Sequence, residues 1–430
     1  MSRSALHDGS TSSVQTPGGL PRPSVKFAPH VGLLTGGQDR HYAFGLATAL
    51  TAKNVRVDVI GNDLIDGPEM HHTPGLQFIN LYGNRRKTGI FAKVKNILGF
   101  YLRLLRYASK PEPKIIHILW NYKLELLDRT LLMLYFRILG KKTVITVHNV
   151  NAGRRDLKDS VINRLTLQFQ YRLADQLFVH TQKMRDELLE QFHVAKSAAT
   201  IIPYGINNAV LDTGLTYQEA KFQLGIESGE KTLLFFGAIK PYKGLEYLVS
   251  AFQQISTEHC DYRLIIAGER KKGYENYFSS IQQLIDSHPS RDRIICKIDF
   301  IPDDEAEIYF KAADVAVLPY TEIFQSGILF MAYAFGLPVI ASDVGSFTED
   351  IVEGRTGFVC RRRDSDDLAR KTKLYFESEL YKELEHRRQG IRDDALSRHS
   401  WSDVADLTRQ IYMQLAGRES EERISGAMLS

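Results

Sequence analysis

Two lysines, Lys240 and Lys243 in GAIKPYKG, stand between an apolar run and a stretch with helical spacing. Cations at a helix start oppose the helix dipole, so a pair there points to an anion that recruits both; a diphosphate fits, and solvated surface lysines are the alternative. A second candidate is Gln325-Ser326-Gly327, with Ile328 next, between VAVLPY and ILFMAYAFG. Amides at that helix start, the Ser326 hydroxyl and the Gln325 amide would form a neutral anion cradle. Glu322, just ahead, is placed to accept hydrogen bonds from hydroxyls, or is an exposed loop acid. Gly36 and Gly37 end VGLLTGG before a helix expected to start near Gln38 or Asp39, where bare backbone would admit a phosphate or sugar. His148 and Asn149 close TVITVHNV, with Arg154 and Arg155 following. A histidine at the edge of the same crevice is a candidate for chemistry; elsewhere it would be an ordinary packed residue.

Each of these groups comes after a short apolar run, and the runs explain why. VGLLTGG, VRVDVIG, KIIHILW, KTVITVHNV, DQLFVHT and ATIIPYG are strands, most separated by helical spacing, and they make one unit over residues 25–204. A second unit, 205–400, strings together KTLLFFG, YRLIIAGE, DRIICKIDFI, ADVAVLPY, LPVIAS and GFVC. Such alternation calls for parallel sheets covered on both faces. Ligands of open parallel sheets bind beyond the carboxyl ends of the strands, which makes strand-end residues the suspects. The stretch 401–417 reads as a last helix able to fold back on either unit, and 1–24 and 418–430 as polar tails outside the fold.

Composition narrows the class. With 430 residues, 43% hydrophobic, the chain has material for two cores, and a net charge of +4 is small for that length. Cys260, Cys296 and Cys360 are widely spaced, share no metal-ligand spacing and suit a reducing compartment. Neither an apolar span nor a signal-peptide core is evident, and the expected location is the cytoplasm.

In its motifs the chain resembles the retaining glycosyltransferases of the GT-B fold, specifically glycosyltransferase family 4. The resemblance covers almost everything between residues 30 and 415, carried by LLFFGAIKPYKGLEYLVSAF, YRLIIAGE, FIPDDEAEIYFKAADVAVLPY and AYAFGLPVIASDVGSFTEDIVEGRTGFV in that order. It implies an α/β GT-B fold, two tandem Rossmann-like doubly wound domains facing across a cleft. A nucleotide-sugar donor, UDP- or GDP-linked, would be held mainly by the second domain as a substrate. A saccharide or lipid-linked saccharide acceptor would sit on the first, and neither metal nor cofactor would be required. Lys243 matches the family lysine for the donor diphosphate, His148 the histidine near the donor sugar, and Gly37 the glycine-rich loop facing the reaction centre. Two departures stand out: Ala238 replaces an arginine, and the family's paired glutamates fall on Ile323 and Met331. A methionine accepts no useful hydrogen bond from ribose hydroxyls. The Gln-Ser-Gly variant resembles a subgroup of the family.

Residues 84–114 are strongly basic, with Glu112 the only acid. Helical periodicity puts Lys95, Arg103, Arg106 and Lys110 on one side and Phe91, Val94, Leu98, Tyr101 and Leu105 on the other. Such a helix would pack its apolar side on the sheet and offer its cations to an anionic membrane, at the inner face of the cell membrane, or it is an ordinary covering helix whose basic face is solvated. Nucleic acid is not expected as a partner, since no nucleic-acid motif accompanies the run. Two other functions fit the same fold: a catalytically silent binding or scaffold subunit, favoured by Ala238 and Met331, and a sugar-nucleotide epimerase, which would need carboxylates deep in the cleft.

Overall fold

The structure is a computed structural model and describes residues 29–82, 90–155, 159–206 and 213–427. The first sheet contains β1 (His30–Leu34), β2 (Arg56–Gly61), β3 (Leu76–Asn80), β4 (Ile115–Ile118), β5 (Lys142–Thr146), β6 (Gln176–Val179) and β7 (Ala199–Ile201). The second contains β8 (Lys231–Phe236), β9 (Tyr262–Ala267), β10 (Ile294–Lys297), β11 (Val315–Leu318), β12 (Val339–Ser342) and β13 (Gly357–Cys360). Spatial orders are β3-β2-β1-β4-β5-β6-β7 and β10-β9-β8-β11-β12-β13, and the paired strands run parallel. Their central strands are buried from end to end, as β4, β6, β11 and β12 show, which is why they read as unbroken apolar runs. The edge strand β3 mixes half-buried and exposed residues in LQFIN with none fully buried, too weak a pattern to stand out in the sequence.

Strand order reverses between β1 and β4 and again between β8 and β11. Each reversal opens a crevice at the carboxyl ends, and the loops leaving these strands carry the residues of interest.

The final helix, Trp401–Ala427, crosses back to the first domain and packs along the helix Arg40–Ala52. Trp401, Val404 and Tyr412 join the first domain's core, and a Cβ on Gly45 or Gly205 would fall 2.4 Å or 2.3 Å from the Trp401 ring. Tyr412 Oη also lies 2.6 Å from Nδ1 of the buried His117. The helix runs past residue 417, where a polar tail was expected, because RESEER consists largely of residues that favour helix. Residues 1–24 and 428–430 lie outside the described residues.

The helix Ile90–Ala108 corrects another expectation. It buries Phe100, Tyr101, Leu104, Tyr107 and Ala108 against the sheet and leaves Val94, Leu98 and Leu102 in solvent. The Phe91 side chain lies outside what is described. Arg103 is half-buried, with Nε donating to the Leu81 carbonyl at 2.8 Å, while Lys95, Arg106 and Lys110 remain exposed.

Candidate active site

The two sets of strand ends face each other across a cleft of about 570 Å³. From the second domain it is lined by Lys240, Tyr242, Lys243, Tyr320, Ile323, Gln325, Ser326, Gly327 and Ile328. From the first domain come the ends of β4 and β5, with Trp120, Asn121, His148 and Asn149, and behind them Glu125, Arg129 and Gln170.

The second-domain wall is cationic. Lys243 ends the short turn Pro241–Lys243 and is only 6% exposed, its ammonium 5.1 Å from the Tyr320 ring centre. Burial lowers its pKa; the Tyr242 hydroxyl opposes the shift and the Arg155 cation adds to it. Among the described residues no carboxylate lies within ion-pair distance of this ammonium. A buried cation without a partner is costly, and an anionic ligand would remove the cost. The Arg155 guanidinium, from the first domain, lies over the Tyr242 ring at 4.8 Å, and Lys240 approaches the same ring at 5.8 Å.

Beside Lys243, Ser326 begins the helix Gly327–Ala334 without a side-chain hydrogen bond to its first turn. Its amides are therefore open to a ligand. Gln325 is held from behind: Nε2 donates to Asp350 Oδ2 at 3.2 Å, and Oε1 is buried without a partner. Asp350 also accepts from the Ser346 hydroxyl at 2.6 Å, and burial raises its carboxyl to about 6. The Gln325 amide nitrogen, expected to join the anion cradle, is thus committed to Asp350.

At the centre of the first-domain wall lies a cluster of neutral aromatic rings, with Asp39, Glu125, Arg129 and Arg155 around it. His148 stacks on Trp120 with ring centres 4.3 Å apart, meets the edge of Tyr42 at 4.7 Å, and lies 3.3 Å through Nδ1 from His180 Nε2. His180 Nδ1 in turn lies 3.3 Å from the Ile202 carbonyl, which can only accept. His180 therefore carries its proton on Nδ1, and its bare Nε2 accepts from His148 Nδ1–H. His148 Nε2 is left as a lone pair, shielded and without a partner. Burial, then His180 and His117, hold the His148 pKa well below that of a free imidazole.

Contacts also cross the cleft. Tyr204 stacks on Phe330 at 5.0 Å and 11°, and its hydroxyl lies 3.4 Å from Asp39 Oδ2. Arg154 Nε lies 4.0 Å from Glu322. Glu322 is consequently a rim residue facing a cation, outside the cleft lining, and of its two readings the exposed loop acid fits this position. Gly36 and Gly37 do not line the cleft either; their neighbours Gln38 and Asp39 do. Packing accounts for both glycines: φ is +60° and +73°, and a Cβ would meet Trp120 at 2.7 Å or the Asn62 amide at 2.1 Å. Met331 packs against the second domain's core and borders no part of the cleft, whereas Ile323 does line it.

Sequence reasoning misses Trp120, Asn121, Gln170 and His180. Trp120 and His180 stand at strand ends in KIIHILW and DQLFVHT, so the rule that selects His148 would find them as well. Gln170 comes from the middle of the helix Val161–Leu173, where it exchanges hydrogen bonds with Asn121 at 2.9 and 3.2 Å, and nothing in its sequence context marks it.

Comparison with known proteins agrees with this architecture. Residues 35–210 match Glycosyltransferase Family 4, and residues 216–393 match Glycosyl transferases group 1. By fold the chain is of the GT-B class, and its two domains match these two glycosyltransferase models one after the other. A sucrose-phosphate synthase from Thermosynechococcus elongatus superposes with a TM-score of 0.72 at 20% identity, covering 90% of this chain and 99% of that one. Anabaena HepE, in a crystal structure with UDP-glucose, superposes with a TM-score of 0.67 at 16% identity over 91% and 99% of the two chains. An uncharacterized glycosyltransferase of Methanocaldococcus jannaschii is 25% identical over 249 residues, which are 56% of this chain and 62% of that relative.

Proposed function

We propose that this protein transfers a sugar, with retention, from a UDP- or GDP-linked donor to a saccharide acceptor, a lipid-linked one in cell-surface polysaccharide synthesis. One observation carries the reading: the buried, carboxylate-free ammonium of Lys243 beside the open helix start at Ser326 and Gly327. The donor diphosphate lies there, its charge met by Lys243, Lys240 and the helix-start amides, with no resident metal or organic cofactor. Ala238 leaves the usual arginine position without charge, and Lys240 stands in. As the bond from the anomeric carbon to the diphosphate breaks, negative charge grows on the leaving phosphate. Fixed cations and amides stabilise that charge more than they stabilise the bound donor.

The acceptor hydroxyl attacks from the face the diphosphate leaves, and the leaving phosphate takes its proton. The His148 ring borders the donor sugar, while Asn121 and Gln170 receive the acceptor. The Gln-Ser-Gly turn replaces the acid-bearing turn of the wider family, as in its variant subgroup. HepE, crystallised with UDP-glucose, supports the choice of donor class. The protein works at the inner face of the cell membrane, where the exposed cations of the helix Ile90–Ala108 meet anionic headgroups. No described helix is long and apolar enough to cross a bilayer.

A thermal-shift panel of UDP-, GDP- and ADP-sugars tests the reading. We expect stabilisation by one sugar nucleotide with slow hydrolysis of that donor; silence across the panel would favour the catalytically inactive scaffold instead.

A further inference from the structure

The two faces of the first sheet are finished differently. One is capped by the helices Arg40–Ala52 and Trp401–Ala427, which bury Val404 and Tyr412. The other carries the helix Ile90–Ala108, the segment Asp128–Ile138 and the helix Val161–Leu173 as an outer layer. Hydrogen bonds set the three side by side. Tyr101 Oη donates to Asp128 at 2.8 Å and Tyr135 Oη to the Leu105 carbonyl at 3.1 Å, while Arg129 Nη1 donates to Asn163 Oδ1 at 2.8 Å.

Each member turns large aliphatic side chains outward. Leu98 and Leu102 of the first are each 58% exposed, Leu131 and Ile138 of the second 63% and 82%, and Ile162 and Leu165 of the third 65% and 58%. Among the described residues nothing covers them. Large aliphatic side chains exposed on three neighbouring elements mark a surface that is used.

Charge decides what for. From Lys93 to Lys110 the first helix and its end hold no acid, and the exposed cations Lys95 and Arg106 follow its outward leucines around the helix. A twofold pairing of two copies through this face would bring two sets of like charge into one interface. An anionic lipid surface accepts both the leucines and the cations. On the chain between β4 and the second segment, Glu125 lines the cleft while its neighbours Leu124 and Leu126 are exposed, so the apolar face runs up to the cleft mouth.

We propose that this three-helix face is a docking surface for an anionic lipid bilayer, laying the acceptor end of the cleft at headgroup level. The inference rests on the reading of a lipid-linked acceptor and enlarges it from one helix to a composite face.

Cosedimentation with vesicles of phosphatidylglycerol and phosphatidylcholine, against phosphatidylcholine alone, is the test. We expect binding to the anionic vesicles only. It should weaken at least tenfold in a Leu98→Glu, Leu102→Glu, Ile138→Glu variant, and as much in Lys95→Gln, Arg106→Gln, Lys110→Gln, with melting temperatures kept. Absence of wild-type binding, binding that both variants retain, or a solution dimer that the leucine changes split would each overturn the proposal. Stabilisation by sugar nucleotides, measured on the same proteins, should not change. Vesicle binding without any nucleotide response would sink the transferase reading and leave the docking face standing.

Discussion

The two walls of the cleft are built from the same kind of strand-end loop and differ in charge. The second domain presents Lys240 and Lys243 beside a helix start, with Arg155 reaching across to Tyr242. The first presents a stack of neutral rings, His148 on Trp120 with His180 behind. On the proposed transferase reading, the difference would divide the donor: its anionic portion to the wall of cations, its uncharged hydroxylated portion to the wall of rings.

The largest effect expected from this contrast is on stability against pH. Burial lowers His117 to about 3 and His180 and His399 to about 4, against an unfolded value near 6.5. Their stabilisation is complete above that unfolded value and is lost as pH falls through it toward 4. Asp128 and Asp350, raised by burial to about 6, act in the opposite sense and favour the folded state as they take up protons below that pH. The histidine shifts are larger and more numerous, so acidification from about 6.5 to about 4 should cost several kcal/mol in all. Urea titrations across that range check it. Stability that stays level or rises would mean that these histidines are not buried as neutral groups.

Much of this organisation is legible in the residues alone, for a physical reason. Strands buried on both faces announce themselves as apolar runs, and the residues just past their ends border the crevice, so position alone picks out Lys243, Ser326 and His148. The features that escape depend on direction. The helix Ile90–Ala108 has apolar residues on two nearly opposite stripes, Phe100-Leu104-Tyr107 and Val94-Leu98-Leu102, and periodicity alone cannot say which one meets the sheet. Glu322 has suitable chemistry and proximity in sequence, but its carboxylate faces Arg154 at the rim. Met331 stands out against a motif, while its surroundings in the fold are those of a core methionine.

A smaller effect probes how the neutral wall is set. Removing the acceptor that fixes the His148 tautomer, in His180→Leu, should lower turnover by about tenfold, the equivalent of one hydrogen bond. His180→Gln, which keeps an acceptor, should recover part of it. Nitrogen-15 spectra of the imidazoles should show His148 protonated on Nδ1 in the wild type and a mixture of tautomers in His180→Leu. An Nε2-protonated His148 in the wild type would reverse the assignment.

The division of labour between the walls is tested most directly by calorimetric titration of UDP and GDP, without any sugar, into Lys243→Met and His148→Ala. We expect Lys243→Met to weaken the nucleotide that binds by about 2–4 kcal/mol, on the order of a hundredfold, because a charge-assisted contact to phosphate is gone. His148→Ala should bind that nucleotide as the wild type does. Equal losses in both variants, or none in Lys243→Met, would contradict this assignment of the two walls.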